Sequence, residues 1–185
     1  MKIFAKNKRL VLKYDVWRKN YMITEKPITK GFQDYSKFIA LYRSAFPRAE
    51  RIPLRFLMSQ DSSSTLNACY DGNTFCGFYS TLTFGDITHI LFLAVDDTLR
   101  NCGYGPTFLE LISHRYPQNR IILDIEAEDS AAQNHEQRIR RKAFYERNGY
   151  TESGIKYRWR GVPYKILIKN GTITEAEFDA FWENL

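Results

Sequence analysis

Apolar positions along the chain follow two periods, one of a helix face and one of a strand, separated by turn-forming residues. From Phe32 onward, Tyr35, Phe38, Ile39, Tyr42 and Phe46 recur at the three-and-four spacing of an amphipathic helix, and Pro47 ends the pattern. A shorter helical stretch is predicted around Leu54 to Met58, and the serine run after Asp61 reads as a loop. Leu66 to Tyr70, Phe75 to Phe84 and Ile87 to Val95 are apolar runs punctuated by Asp71-Gly72-Asn73 and Gly85-Asp86, which predicts a three-stranded meander. Gly103 to Tyr116 reads as a helix with Tyr104, Phe108, Leu111 and Ile112 on one face, Pro106 in its first turn and Pro117 just beyond it. Then follow a strand from Arg120 to Ala127, a helix from Glu136 to Arg147 stopped by Asn148-Gly149, and strands from Tyr150 to Arg158 and Tyr164 to Lys169. A last helix, Thr174 to Leu185, opens with the capping box Thr174-Glu175-Ala176-Glu177.

This order of elements predicts an α/β (α+β) domain with a mixed sheet, and 185 residues fit a single core. With 44% hydrophobic and 26% charged residues the composition excludes global disorder. No apolar run approaches the roughly 20 residues of a membrane span, and no signal-peptide pattern opens the chain. Cys69, Cys76 and Cys102 are odd in number, lack C-x-x-C spacing and have no histidine at ligand distance, so neither a disulfide framework nor a metal site is expected. The expectation is a soluble, cytoplasmic protein.

The net charge of +6 raises the question of a nucleic-acid partner, and its distribution argues against one. Residues 1–60 hold 14 Lys and Arg against 4 Asp and Glu, residues 61–135 hold 3 against 10, and residues 136–165 hold 9 against 3. An acidic middle between basic flanks suits a cleft with one anionic and one cationic guest better than a basic stripe. Residues 1–21 alone carry seven Lys or Arg and one Asp, and are set apart as a basic extension ending at Met22, itself a candidate start.

The sharpest chemical feature is the strand Leu91-Phe92-Leu93-Ala94-Val95 leading through Asp96 to Leu99 into Arg100-Asn101-Cys102-Gly103-Tyr104-Gly105 and a helix. Strand, glycine-bearing loop and helix N-terminus together make a place for phosphate, because the first helical N–H groups lack acceptors and carry the positive end of the dipole. Neither a P-loop nor a dinucleotide fingerprint is present. What remains is R-x-x-G-x-G, followed some 40 residues later by Ala143-Phe144-Tyr145-Glu146-Arg147-Asn148-Gly149-Tyr150.

These two segments, in this order, resemble the GNAT superfamily of acetyl-CoA-dependent N-acetyltransferases. The likeness extends from about Met22 to Lys169, leaving out residues 1–21 and the terminal helix, residues 171–185, expected to pack on the same domain. It implies a mixed, twisted sheet with helices on both faces and acetyl-CoA as cosubstrate, with no metal. It further implies that backbone groups of Leu93, Ala94 and Val95 bind the pantetheine arm, that the loop Arg100, Asn101, Cys102, Gly103, Tyr104, Gly105 holds the pyrophosphate, and that Tyr145 protonates the departing thiolate. A phenol with an ordinary pKa near 10 is neutral at pH 7 and suited to that task. The family often has Asn and Ala seven and four residues before this tyrosine, where this chain has Arg138 and Arg141. Either arginine could pair with a coenzyme A phosphate, or both could belong to a solvated basic face.

On the acceptor side, an alkylamine is only about one part in 2,500 neutral at pH 7, so a base is needed. The strand places Asp124, Glu126 and Glu128 on one alternating face, where shared charge is expected to raise their pKa values and attract a cationic amine. Glu126, the central one, is the first candidate for the base, and His89 is a weaker one. Cys102 has no histidine beside it in sequence and reads as a packing residue. Tyr42, Phe46, Phe56 and Arg158-Trp159-Arg160 fall where the family builds its acceptor pocket. The expected reaction is direct acetyl transfer to a small-molecule, cationic primary amine. A silent acyl-CoA-binding module on the same fold is the alternative, nucleic acid and membrane are not expected partners, and a homodimer stays open.

Overall fold

The computed structural model describes residues 3–6, 9–16, 19–59 and 63–184, with side chains from Met22 onward. Its elements in chain order are β1 (Ile3–Lys6), β2 (Arg9–Val16), β3 (Lys19–Pro27), α1 (Tyr35–Ala45), α2 (Leu54–Leu57), β4 (Ser64–Asp71), β5 (Thr74–Phe84) and β6 (Ile87–Val95). They continue as α3 (Tyr104–Arg115), β7 (Arg120–Glu126), α4 (His135–Arg147), β8 (Thr151–Trp159), β9 (Val162–Lys169) and α5 (Glu175–Glu183). The chain is thus an α/β protein with a mixed sheet and flanking helices, as the sequence pattern predicts. The predicted serine loop lies partly outside the described residues, as do Leu185 and six positions of the basic segment 1–21. The rest of that segment is strand, and Met22 sits inside β3 opposite Lys13 of β2.

Backbone packing divides the chain into two compact units, one of residues 1–81 and 92–115, the other of residues 82–91 and 116–185. The boundary passes through β6, so the strand's first half belongs to the second unit and its last four residues to the first.

In the first unit the strand order is β1-β2-β3-β4-β5-β6, with β1 to β4 joined by antiparallel pairs. Helix α1 buries Phe38, Leu41 and Tyr42, and Phe38 and Tyr42 meet the rings of Phe78 and Phe92 edge to face. The helix stops because Phe46, directly before Pro47, is extended at φ −124° and ψ 130°. The inward side of β3 carries Ile23 and, fully inside, Glu25. That carboxylate is tolerated because Arg115 of α3 pairs with it at 2.8 Å and the Tyr79 hydroxyl donates to its other oxygen. Gly77 lies against β6: a Cβ there would stand 2.1 Å from the Ala94 carbonyl oxygen and 2.9 Å from the Phe108 ring.

In the second unit the strand order is β6-β7-β9-β8. β6 and β7 are parallel, paired from Ile87 with Arg120 to Ile90 with Leu123, and β7 runs on to Glu126. β7 pairs with β9 and β9 with β8, both antiparallel. The face carrying Ile122, Ile166 and Ile168 packs under Phe178 and Phe181 of α5, whose predicted capping box between Thr174 and Glu177 is present. Arg120 ties α5 down, with two bonds to Asp86, one to Glu177 and one to the Thr172 carbonyl. A second ionic cluster joins α4 to the β8–β9 hairpin: Glu128 and Glu152 share Lys142 and Lys165, with Lys142 2.9 Å and Lys165 2.6 Å from Glu128.

Two predictions follow from this packing. Gly77→Ala is expected to lower the unfolding free energy by about 3 kcal/mol, because the Ala94 carbonyl cannot retreat without breaking the strand; denaturant titration measures it. Lys165 and Lys142 hold Glu128 down to about 2 from its ordinary 4.5. The stability from those ion pairs is therefore complete above about pH 4.5 and disappears as pH falls toward 2. Glu128→Gln should consequently be less stable than the wild type at neutral pH, with the gap closing over that acid range in urea titrations.

Candidate active site

In the first unit, Phe92 and Ala94 at the end of β6 are buried while Leu93 and Val95 on the other face are partly exposed. Past Val95 the chain is pinned by the Asp96 N–H donating to the Cys76 carbonyl at 2.9 Å. The Asp96 carboxylate then accepts from the Thr98 N–H at 3.0 Å and caps a short 3-10 turn, Asp97–Leu99. Exposed Arg100 is extended and pairs with Asp97. Asn101 and Gly103 both adopt left-handed backbone, at φ +62° and +91°, around partly exposed Cys102. Asparagine and glycine are the residues that accept this conformation, and it turns the chain directly into α3. The helix start is fixed by buried Tyr104, whose hydroxyl donates to Asp71 at 3.0 Å, and by Thr107, whose hydroxyl donates to the Gly103 carbonyl at 3.0 Å. Gly105 follows in the first turn. Backbone N–H groups at such a turn and the positive helix end favour an anion.

In the second unit, the three carboxylates predicted to act together have separate fates. Asp124 takes His89, with Nε2 and Oδ2 2.9 Å apart. Glu126, the last residue of β7, is bound through both oxygens: Arg138 lies 3.0 Å from one and Arg141 3.0 Å from the other, while the Asn134 amide donates to both. Glu128 lies past the end of β7, and its lysines depress its pKa, contrary to the rise expected from neighbouring carboxylates. Opposite charge explains the difference, since Lys165 and Lys142 lie 2.6 and 2.9 Å from the Glu128 oxygens.

Arg138 is neither a solvated base nor an open phosphate ligand. Its guanidinium is buried and spent on Glu126, on the Asn134 side-chain oxygen and on the Ala127 carbonyl. Arg141 is about one-third exposed. Tyr145 stands one turn further along α4, its ring edge to face with Phe144 at 5.1 Å and Tyr150 at 5.8 Å. Burial pushes its phenol pKa up, Arg141 pulls it down and the Asp124 charge pushes it up again, so the net effect is a phenol that keeps its proton at neutral pH.

His89, on the first half of β6, is fully buried under α5, with the Trp182 ring 5.2 Å and the Phe181 ring 5.9 Å away. Its pairing with Asp124 was invisible in sequence, because 35 residues separate the two and only the parallel register brings them together. Tyr42 turns out to be a clamp buried in the core: its hydroxyl donates to the Ile52 carbonyl at 2.9 Å and accepts from the Ile52 N–H at 2.8 Å. Phe56 and Trp159 are exposed, and Arg160 lies over the Trp159 ring. Among the described residues, no group of His, Cys, Asp and Glu is placed to hold a metal ion, and no helix is long and apolar enough to cross a membrane.

Known proteins share this fold. A GNAT-family acetyltransferase from Bacteroides thetaiotaomicron is 23% identical, with a TM-score of 0.72 over 87% of this chain and 94% of its own. A ribosomal-protein alanine N-acetyltransferase from Escherichia coli superposes at a TM-score of 0.58, with 17% identity over 83% of this chain and 96% of its own. The aminoglycoside 6'-N-acetyltransferase from Enterococcus faecium does so at 0.60, with 15% identity over 78% and 95%. No curated protein matches the sequence. Residues 33–150, which hold both the loop before α3 and the Tyr145 segment, match the acetyltransferase (GNAT) family, and the chain belongs to it.

Proposed function

We propose that this protein transfers an acetyl group from acetyl-CoA directly to a primary amine, with Tyr145 as the acid. The observation that carries the reading is the Tyr145 phenol, partly buried and protonated at neutral pH, on a helix that ion pairs anchor to the end of β7. The amine nitrogen attacks the thioester carbonyl, the C–N bond forms and the C–S bond breaks. Tyr145 gives its proton to the sulfur as charge develops there, and recovers one afterwards. Backbone groups of Leu93, Ala94 and Val95 take the pantetheine arm, and the loop from Arg100 through Asn101, Cys102, Gly103 and Tyr104 to Gly105 takes the pyrophosphate. The left-handed backbone at Asn101 and Gly103 supports the loop's part.

Glu126 serves in this reading as the anion that holds Arg138 and Arg141, since a base needs a lone pair turned to the substrate and both its oxygens are engaged. Small cationic amines are the acceptors to test first, in line with the aminoglycoside acetyltransferases among the structural neighbours. The acidic middle of the sequence gives this choice less support than composition suggests, because Asp86, Glu126 and Glu128 pair with basic side chains of the same chain and Asp124 with His89.

Two variants test the assignment. Tyr145→Phe is expected to lower kcat about 100-fold with acetyl-CoA affinity unchanged, measured as coenzyme A release over polyamines, aminoglycosides, amino acids and short peptides. Acetyl-CoA binding without turnover on any amine would point to a sensing module. Glu126→Ala strands buried Arg138 and should cost about 3 kcal/mol of stability in urea unfolding.

A further inference from the structure

In the first unit, the stretch from the last turn of α1 through α2, residues 43–56, holds Arg43, Arg48, Arg51 and Arg55 against one acid, Glu50. It folds back on the helix it follows: the Tyr42 hydroxyl grips both backbone groups of Ile52, and Arg51 donates to the Phe46 and Arg43 carbonyls at 2.8 and 3.1 Å. Arg51 thereby closes α1 at its carbonyl end, where a cation is favoured. Arg43 lies in that last turn as well, and Arg48 and Arg55 lie beyond it. All three are exposed, and none pairs with a carboxylate among the described residues, whose ion pairs in this unit are Lys37 with Asp34, Arg100 with Asp97 and Arg115 with Glu25. Arg55 is held over the exposed Phe56 ring, 4.7 Å from its centre, which steadies the guanidinium without neutralising it. Like charges gathered on one turn repel, and an anion set among them relieves that cost.

The turn is anchored where the reacting end of the cofactor would come. The loop that takes the pyrophosphate in the acetyl-transfer reading follows β6, so a pantetheine arm leaving it runs back along the strand past Val95, Ala94 and Leu93 toward Phe92. Helix α1 covers Phe92: the Phe46 ring lies 4.8 Å and the Tyr42 ring 5.2 Å from it, both edge to face. Phe46 is also the residue whose carbonyl holds Arg51, and Tyr42 the one whose hydroxyl holds Ile52. The two aromatics over Phe92 are thus the two that fix the arginine turn in place.

We propose that the acceptor amine carries an anionic group, a carboxylate or a phosphonate, and that Arg43, Arg48 and Arg55 select for it. The inference rests on the acetyl-transfer reading above and narrows its cationic acceptors to zwitterionic ones, with the amine at the thioester and the anion at the α1–α2 turn. Guanidinium groups suit this task, because their planar fork donates two parallel hydrogen bonds to the oxygens of either anion. Exposed pairs of this kind are weak one at a time, so the selection comes from several acting together and weakens with salt.

The experiment compares acceptors matched in length, an ω-amino acid, the corresponding aminoalkyl phosphonate and the corresponding ω-amino amide, each followed by coenzyme A release. In the wild type, kcat/KM for the better of the two anionic acceptors is expected to exceed that for the amide about tenfold, and the ratio to fall as sodium chloride is raised. Which anion is preferred tells carboxylate from phosphonate. Arg43→Gln, Arg48→Gln and Arg55→Gln should each lower the ratio about twofold and the triple variant should bring it near unity, while Arg55→Lys, which keeps the charge, should hold more of it than Arg55→Gln. The ratio is taken within each variant, so a variant that is partly unfolded still reports it. An amide used as well as both anionic acceptors, or a ratio unmoved in the triple variant, overturns the anionic acceptor and leaves acetyl transfer standing. A wild type that acetylates polyamines but none of the matched acceptors does the same, and one that acetylates no amine at all overturns both.

Discussion

The carboxylate of Glu126 is the point on which the second unit turns. Helix α4 has almost no apolar stripe with which to dock: among its described residues the buried one is Arg138. Its attachment to β7 therefore depends on charge, through Arg138 and Arg141 on Glu126 and Lys142 on Glu128. Ion pairs removed from water add little net stability, because desolvation cancels most of the attraction, yet they tolerate few alternative geometries. A hydrophobic face would let the helix slide by a fraction of a turn, whereas two guanidinium groups on one carboxylate fix its rotation. Tyr145, one turn beyond Arg141, inherits that fixed orientation.

Much of this was legible in the chain itself. The punctuation by Pro47, Gly85-Asp86, Pro117 and Asn148-Gly149 marked element ends to within a few residues, and the capping box at Thr174 marked the last helix start. The loop before α3 and the Tyr145 segment were readable because their spacing is local. Strand β3 was not, because its inward positions read Ile23 then Glu25, and an acid on the core side defeats the alternation that betrays a strand. What makes Glu25 acceptable is Arg115, 90 residues away.

The same limit governed the charges. Sequence showed that Asp124, Glu126 and Glu128 alternate, which is true of any strand, and it showed two arginines on one helix face. It carried no information on who neutralises whom, since that depends on the register of β6 against β7 and on how α4 returns across the strand end. Local pairing also empties the composition argument of much of its force. A surplus of acids in one stretch produces an external field only where those acids lack partners, and here Asp86, Glu126 and Glu128 each answer to a base on another element.

The chain crosses between its two units at three places, near residues 81, 91 and 115. All the residues of the first unit precede all but ten of the second, so on a ribosome the loop before α3 and its core can close while the later half is still being made. The second unit cannot follow suit, because Ile87 at its start packs beside Phe181 near the chain's end. A nascent chain would thus hold β6 half committed, its last residues settled and its first ones waiting, and translation must run almost to completion before His89 finds its cover.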